Sequence, residues 1–333
     1  MSDDAQEIPG GDAARRLRSG AVGSGAWDSG SPPSGSPPSG EPGSGFDQKL
    51  QSIALIGPGR AGMALANGLT QSGLRIVNVA GRAPGDAAVI AAAAELGARP
   101  VSVEQAGADV GLVVLAVPDA IIGDVALRLA TSLTTGALAI HCSGATGLDV
   151  FDRLLERRPD VRVGSIHPLQ TLPGRRDDAE RLVGAGFAVE GPIVELTALV
   201  DRLGGIAFEV GDRALYHAGA VLASNHVVAL MGQLARLAAE VGAPIEVFRP
   251  LAFEALTNAF DLGPEAALTG PVARGDVETV ARHLDALPAD ERSSYRALAR
   301  EALKLVERPS PELVALLDGD GGVGERWGVS TPE

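Results

Sequence analysis

The chain has 333 residues, a formal net charge of −14, 45% hydrophobic residues and only 3% aromatic residues. This length allows one to three domains, and the negative charge argues against nucleic acid or an anionic membrane surface as the main partner. The single cysteine excludes an intrachain disulfide and a zinc site built from cysteines. The acidic start lacks the apolar core of a secretory signal, and apolar runs such as 110–117 are too short to span a bilayer. We therefore expect a cytoplasmic protein that does not bind membranes.

Residues 53–62 have the pattern of a dinucleotide-binding β-turn-α unit. Apolar residues 53–56 predict a buried strand, three glycines follow as G-x-G-x-x-G, and an alanine-rich helix begins at once. In this pattern Gly57 makes the tight turn, Gly59 lets a pyrophosphate approach the backbone, and Gly62 lets the helix pack closely on the strand. The helix N-terminus then faces the phosphates. The predicted cofactor loop is Gly57, Pro58, Gly59, Arg60, Ala61 and Gly62.

Strands and helices alternate after this unit, which predicts a doubly wound, mostly parallel α/β Rossmann sheet. The predicted strands are residues 53–56, 75–80, 110–116, 137–141 and 161–166, with 186–189 and 206–210 as possible extensions. From residue 212 the strand signal disappears, and helices are expected at 214–241, 245–262, 277–286 and 289–306. The sheet is therefore followed by a smaller all-helical domain. The helix at 214–241 is apolar on more than one face, which indicates burial against a second subunit or inside a thick bundle.

Composition divides the chain into four parts. Residues 1–48 are rich in Ser, Pro and Gly, repeat a five-residue unit at 31–40, and predict a disordered tail. Residues 49–190 form the predicted Rossmann domain and residues 191–310 the helical domain for substrate binding and dimerisation. Residues 311–333 are predicted to be a flexible tail.

The end of the second predicted strand selects the cofactor. An acidic residue there would bind a ribose 2′-hydroxyl and favour NAD, whereas an arginine accommodates a 2′-phosphate. The chain has Gly81 and Arg82 at this point and no acidic residue before Asp86. The sequence therefore favours NADP over NAD. Arg60 in the glycine loop either adds charge for a phosphate or is a solvated loop residue.

Three polar loops follow the later strands, at the edge of the sheet where ligands bind. Ala116, Val117 and Pro118 would contact the nicotinamide. Ser143 could hydrogen-bond a substrate carboxylate or carbonyl. His167, which precedes a proline, either binds a substrate anion, acts as a general acid or caps a turn.

Two neighbouring residues are given less weight. His141 is expected to point into the sheet and to be structural. Cys142 has no identifiable partner base and is a poor candidate nucleophile. No His or carboxylate cluster has ligand spacing, so we expect no metal.

The first half of the chain resembles the NADP-binding domain of 6-phosphogluconate and 3-hydroxyisobutyrate dehydrogenases, ketopantoate reductase, pyrroline-5-carboxylate reductase and prephenate dehydrogenase. The whole chain more closely resembles a bacterial family with a Rossmann-like domain and a helical domain of unknown function numbered 2520. The segments that carry this resemblance are 57–62 (GPGRAG), 115–119 (LAVPD), 141–145 (HCSGA), 166–170 (IHPLQ), 223–225 (ASN) and 268–276 (LTGPVARGD). It implies NADP binding and a homodimer formed through the helical domain.

The chain departs from related hydroxyacid dehydrogenases at one important position. Those enzymes carry a catalytic lysine one turn before an asparagine on the first helix of the helical domain. Asn225 matches the asparagine, but Val221 stands one turn earlier and cannot transfer a proton. A proton donor must then come from elsewhere, and the candidates by residue type are His167, His217, Tyr216 and Thr269. Ser224 and Asn225 are either substrate or nicotinamide contacts or a polar stripe in a helix interface.

The loop at 268–276 supplies two more substrate-binding candidates. Thr269 lies at its start, and Arg274 could bind a carboxylate with two hydrogen bonds. Asp276 is expected to cap the next helix.

Together these features predict an NADP-dependent oxidoreductase that reduces a C=O or C=N group of a small carboxylate-bearing metabolite. His167, Asn225 and Ser143 are the predicted catalytic residues. One alternative is a non-catalytic NADP(H)-binding sensor or scaffold, which the missing lysine favours. A second alternative is a reductase that uses a deazaflavin beside NADP.

Overall fold

The computed structural model describes residues 50–175 and 177–319. The predicted tail at 1–48 lies outside the described residues. The described part contains eight strands: β1 (Ser52–Ile56), β2 (Arg75–Ala80), β3 (Arg99–Pro100), β4 (Leu112–Leu115), β5 (Leu138–His141), β6 (Arg162–Leu169), β7 (Gly186–Glu190) and β8 (Ile206–Glu209).

These strands form one sheet in the order β3-β2-β1-β4-β5-β6-β7-β8. All neighbouring strands are parallel except β6 and β7, which pair antiparallel with His167 opposite Ala188. The predicted mostly parallel, doubly wound sheet is confirmed. Strand order reverses between β1 and β4, and the crevice above such a reversal is where doubly wound sheets bind ligands.

Helices cover the sheet as far as β8. They are α1 (Arg60–Gln71), α2 (Ala87–Leu96), α3 (Val103–Ala106), α4 (Ile122–Leu129), α5 (Asp152–Arg157) and α6 (Ile193–Arg202). The core under them is almost wholly Ala, Val, Leu and Ile, and Phe151 and Phe187 are its largest fully buried side chains. The α/β region extends to Glu209, beyond the predicted boundary at residue 190, because α6 and β8 complete the sheet.

The remainder is helical, as predicted. Its helices are α7 (Arg213–Val221), α8 (Val227–Glu240), α9 (Arg249–Leu262), α10 (Pro264–Ala267), α11 (Gly270–Ala273), α12 (Val277–Ala286), α13 (Arg292–Leu303) and α14 (Pro311–Asp318). A π-helical turn at Leu222–His226 joins α7 to α8, so residues 213–240 form one continuous helix.

The predicted flexible tail at 311–333 begins with a helix, and its residues 320–333 lie outside the described residues. Residues 311–318 form α14, in which Leu313 and Leu317 are fully buried. Their i, i+4 spacing places both on one helix face, and they pack on a small core formed with α12 and α13. Ser310 caps the helix by accepting from the Leu313 amide.

Two helices contribute almost nothing to these cores. In α8 only Gln233 and Ala238 are buried, and α9 has no buried residue. The segment 213–240 is long and apolar enough to cross a membrane by length and composition, and only 6% of its most apolar window is buried. An exposed apolar surface of this kind is typical of an interaction site.

The turn between β1 and α1 is packed against the end of β4. Gly57 has φ +90°, and a Cβ added there would lie 2.4 Å from the Ala116 carbonyl oxygen. A Cβ on Gly62 would lie 2.3 Å from the Gly57 carbonyl oxygen. In contrast, a Cβ on Gly59 would meet nothing within 4 Å. The three glycines therefore have different roles: two are required by packing, and the third faces open space.

We expect Gly62→Ala to lower the free energy of unfolding by roughly 2 kcal/mol or more, because overpacking against backbone cannot be relieved by a rotamer change. Gly59→Ala is the matched control, since its φ of −85° is available to alanine. Thermal and urea unfolding of both variants check this. Equal stability of Gly62→Ala and the wild type would contradict the described packing.

Candidate functional site

The predicted cofactor residues lie at three neighbouring strand ends. Gly57, Pro58, Gly59, Arg60, Ala61 and Gly62 follow β1, Arg82 follows β2, and Ala116, Val117 and Pro118 follow β4. Since β2, β1 and β4 are adjacent in the sheet, the structure brings these loops to one edge. Small side chains are required there, because the Ala116 methyl group lies only 3.0 Å from where a Gly62 Cβ would be.

Two arginines flank this edge. The Arg82 side chain is 97% exposed, and its Nε lies 3.6 Å from a carboxylate oxygen of Asp86. An exposed ion pair of this kind is weak, so the guanidinium is available to a ligand. Arg60 lines a cavity of about 370 Å³ together with Pro58 and Gly59 of the same loop, and it packs beside Gly174 of the β6–β7 connection.

Ser143 organises the turn after β5. Its hydroxyl donates to Asp119 Oδ2 at 2.7 Å and accepts from the amides of Ala145 and Thr146. The side chain is 7% exposed. Its hydrogen-bonding capacity is thus used within the chain, which favours a loop-ordering role over the predicted contact with substrate.

Of the two residues before Ser143, His141 is buried and Cys142 is half-buried. His141 is fully buried and its Nδ1 accepts from the Ser143 amide at 3.2 Å. Burial lowers the pKa of His141 to about 4 and raises the pKa of Cys142 to about 12. Neither residue is suited to proton transfer or nucleophilic attack near neutral pH.

A cavity of about 360 Å³ lies between β6 and the long helix. Its polar lining residues are His167, Gln170, Thr171, His217, Ser224 and Asn225. Its apolar lining residues are Pro168, Leu169, Ala220, Val221 and Ala223. The cavity therefore brings together four residues that the sequence singled out, His167, His217, Ser224 and Asn225.

Other predicted substrate residues lie elsewhere. Thr269 and Arg274 flank the short helix α11 and do not line this cavity, and neither does Ser143. Asp276 caps α12 by accepting from the Thr279 amide at 3.0 Å. Direct substrate contact by Thr269 and Arg274 stays a prediction.

His167 is held by a residue 49 positions later in the chain. Its Nδ1 lies 2.8 Å from the Tyr216 hydroxyl, and the two rings meet edge to face. The His217 ring packs beside it with centroids 5.9 Å apart. Burial, with smaller contributions from His217 and Arg213, lowers the pKa of His167 to about 4. His167 is therefore neutral at physiological pH, and a hydrogen bond donated by the Tyr216 hydroxyl to Nδ1 corresponds to the tautomer with its proton on Nε2.

Gly144 sets the space beside these histidines. A Cβ there would lie 2.8 Å from His167 Nε2 and 2.6 Å from His217 Cδ2. The backbone of the turn after β5 is thus in close contact with both rings. The sequence did not predict this, because the three segments are far apart in the chain.

Ser224 and Asn225 lie in the π-helical turn. The Ser224 hydroxyl donates to the Ala220 carbonyl at 2.6 Å and lies 3.0 Å from Asn225 Oδ1. A hydroxyl has one proton, so the second contact is satisfied when the Asn225 amide presents its nitrogen to Ser224. π-Helical turns occur frequently at functional sites, and this one lies in the wall of the cavity.

No metal site accompanies these features. Within 50–175 and 177–319, no group of three or more His, Cys, Asp or Glu residues is placed to hold an ion.

The chain is similar over part of its length to a characterised protein. D-apionate oxidoisomerase from Cupriavidus necator is 35% identical over 123 residues. The match covers 37% of this chain and 42% of that protein, so the chain matches less than half of the relative's length.

Solved structures share the fold. A candidate NADP oxidoreductase from Bacteroides fragilis has a TM-score of 0.64 at 24% identity, covering 76% of this chain and 98% of that one. The reductive aminase from Aspergillus terreus, in complex with NADPH and ethyl levulinate, has a TM-score of 0.54 at 17% identity, covering 80% and 98%.

Two family models match successive parts of the chain. Residues 37–168 match the Rossmann-like domain, and residues 187–302 match the domain of unknown function 2520. The first match includes the glycine loop and ends just after His167, and the second covers the long helix and the 268–276 loop. The chain therefore belongs to the proteins in which a Rossmann-like domain is followed by a domain of unknown function 2520.

Proposed function

We propose that the chain is an NADP-dependent oxidoreductase that reduces a C=O or C=N group of a small carboxylate-bearing metabolite. The observation that carries this proposal is the cavity between β6 and the long helix, where a neutral histidine with a hydroxyl partner faces amide and hydroxyl groups. A volume of about 360 Å³ suits a small molecule. The names of similar proteins support the reaction class: an oxidoisomerase of D-apionate, an NADP oxidoreductase and an NADPH-bound reductive aminase.

The residues at the switch point fit a dinucleotide. The position that a Gly59 Cβ would occupy is open, although the flanking glycines are tightly packed. A pyrophosphate can approach the backbone closely only if no side chain occupies this position, which is that of the second glycine in the motif. Arg82 would hold the 2′-phosphate from the end of β2. When bound, NADPH would supply a hydride to the substrate carbon.

The chain's own residues would supply the proton. His167 Nε2 donates a hydrogen bond to the carbonyl oxygen or imine nitrogen. As charge develops on that atom, the Nε2 proton moves to it, and the Tyr216 hydroxyl proton moves to Nδ1 across the 2.8 Å hydrogen bond. His167 Nε2 then takes a proton from solvent, and the Nδ1 proton returns to the Tyr216 oxygen, which restores the starting state of both residues. Ser224 and Asn225 orient the substrate from the opposite wall.

The cofactor assignment predicts a selective effect of Arg82. Loss of a charge-assisted contact to phosphate costs about 1.5–3 kcal/mol, which corresponds to roughly tenfold or more in affinity. We expect Arg82→Ser to raise the Kd for NADPH by this factor and to leave the Kd for NADH unchanged. Titration of cofactor fluorescence measures both constants. Arg153→Ser, which removes another exposed arginine with an acidic partner, is the control. Equal losses for both cofactors would contradict 2′-phosphate binding by Arg82.

The proton-donor assignment predicts that His167→Ala lowers turnover about 10²-fold with unchanged NADPH affinity.

Because the pKa of His167 is about 4, the wild-type rate should stay flat as pH rises from 5 to 8. An imidazolium acid of ordinary pKa would instead lose activity through pH 6.5. Initial rates with a panel of 2-keto acids and imines test both points. Tight NADPH binding without turnover of any member would favour a sensor or scaffold protein.

We also propose that the protein is a soluble homodimer formed through its long helices. Eleven large apolar side chains along residues 213–262 are 40–87% exposed: Leu215, Leu222, Val228, Leu230, Val241, Val247, Leu251, Phe253, Leu256, Phe260 and Leu262. They leave on the order of 1,000 Å² of apolar surface in water, comparable to the ~800 Å² that each partner buries in a standard interface.

A second copy explains this surface better than a bilayer does. Ser224, Asn225 and His226 interrupt the apolar segment near its middle, where a spanning helix would place them in hydrocarbon. The surface is also continuous with the cavity, since the exposed Leu222 lies between Val221 and Ala223, which both line it. A partner packed here would enclose the substrate.

Light scattering at micromolar concentration should give the mass of two chains for the wild type and of one chain for Phe260→Asp. Val194→Asp, a change at an equally exposed position on α6, should remain dimeric. A monomeric wild-type protein would contradict the proposal. So would a wild-type protein that sediments together with lipid vesicles.

A further inference from the structure

Arg213 connects the helical region to the sheet at the candidate site. It is the first residue of α7, yet its side chain is only 8% exposed. One Nη donates to the Ser143 carbonyl at 2.6 Å, and the other donates to Glu190 Oε2 at 3.1 Å. A single guanidinium thus joins α7, the turn after β5 and the end of β7.

The position of the Ser143 carbonyl determines where both histidines lie. The next residue, Gly144, contacts the rings of His167 and His217, which come from β6 and α7. A shift of this turn by about 1 Å would either press on the rings or separate them. The Arg213–Ser143 hydrogen bond fixes the turn relative to the helix that carries His217, and so fixes the space between the histidines.

Stability alone does not account for this arrangement. The partner carboxylate of Glu190 is 39% exposed, and the Arg213 Nε has no hydrogen-bond partner among the described residues. A buried cation with one solvated partner usually stabilises a fold no better than an apolar residue of similar size. The guanidinium also adds positive charge near His167, where it acts with burial and His217 to keep the imidazole neutral.

We propose that Arg213 is a positioning residue of the reductase site. It sets the separation of His167 and His217 through the Ser143–Gly144 turn. The inference rests on the proposed function, in which His167 donates the proton, and Arg213 itself touches neither substrate nor cofactor.

Arg213→Lys and Arg213→Gln test the proposal. Lysine keeps the charge but cannot hold two acceptors in a fixed fork. We expect at least a tenfold loss of kcat in both variants, with the NADPH Kd within twofold of wild type. Arg162→Gln is the control. It also breaks an Arg–Glu pair, Arg162–Glu195, at the start of β6, which is the strand that carries His167. It should change stability but leave kcat within twofold. An Arg213→Lys enzyme with wild-type kcat would overturn the proposal.

A second measurement does not depend on turnover. Side-chain NMR of labelled histidine reports the titration of His167, which Tyr216, His217, Arg213 and Asp119 all influence. Removing the cation in Arg213→Gln should raise the His167 pKa, while Arg162→Gln should leave it unchanged. An unchanged His167 titration and chemical shift in Arg213→Gln would overturn the positioning role. A changed titration in a protein without turnover would instead mean that the proposed function fails while the geometry holds.

Discussion

The structure depends on a contact that leaves no room for a side chain. The β1–α1 turn packs directly on the end of β4, so that Gly57 and Gly62 each face backbone or the Ala116 methyl group. This contact places the N-terminus of α1 above the point where strand order reverses. The loops after β2, β1 and β4 then converge at one edge, and Gly59 is left as the exposed member of the three glycines. This geometry leaves the backbone at Gly59 open to a ligand phosphate, which is the arrangement that a bound dinucleotide requires.

A second constraint is the neutral state of two histidines beside the sheet. His141 is buried and His167 is half-buried, and desolvation together with the nearby Arg213 lowers the pKa of each imidazole. The two residues differ in their partners. The Nδ1 of His141 accepts from a backbone amide within the sheet, whereas the Nδ1 of His167 faces the Tyr216 hydroxyl beside an open cavity. Environment, rather than residue type, separates the structural histidine from the candidate acid.

Local patterns predicted the parts of the fold that depend on neighbouring residues. The glycine loop, the alternating strands and helices, and the long helix at 213–240 all follow from short-range periodicity and turn chemistry. The Tyr216–His167 pair, the Ser143–Asp119 bond and the Arg213 contacts join residues 23 to 70 positions apart, and no local pattern reveals them. The helix α14 was missed because the Gly- and Pro-rich composition around it obscured a four-residue leucine spacing.

The π-helical turn changes how the missing lysine should be understood. Counting back one turn from Asn225 assumes an α-helix, in which the residue below lies four positions earlier. Within the wider turn at Leu222–His226, the residue below lies five positions earlier, at Ala220 rather than Val221. Neither side chain carries an exchangeable proton, and lysine occurs only at positions 49 and 304 of the chain. Misalignment by one residue therefore cannot restore the ammonium group, and the proposed reduction would instead draw its proton from the imidazole of His167 and the phenol of Tyr216.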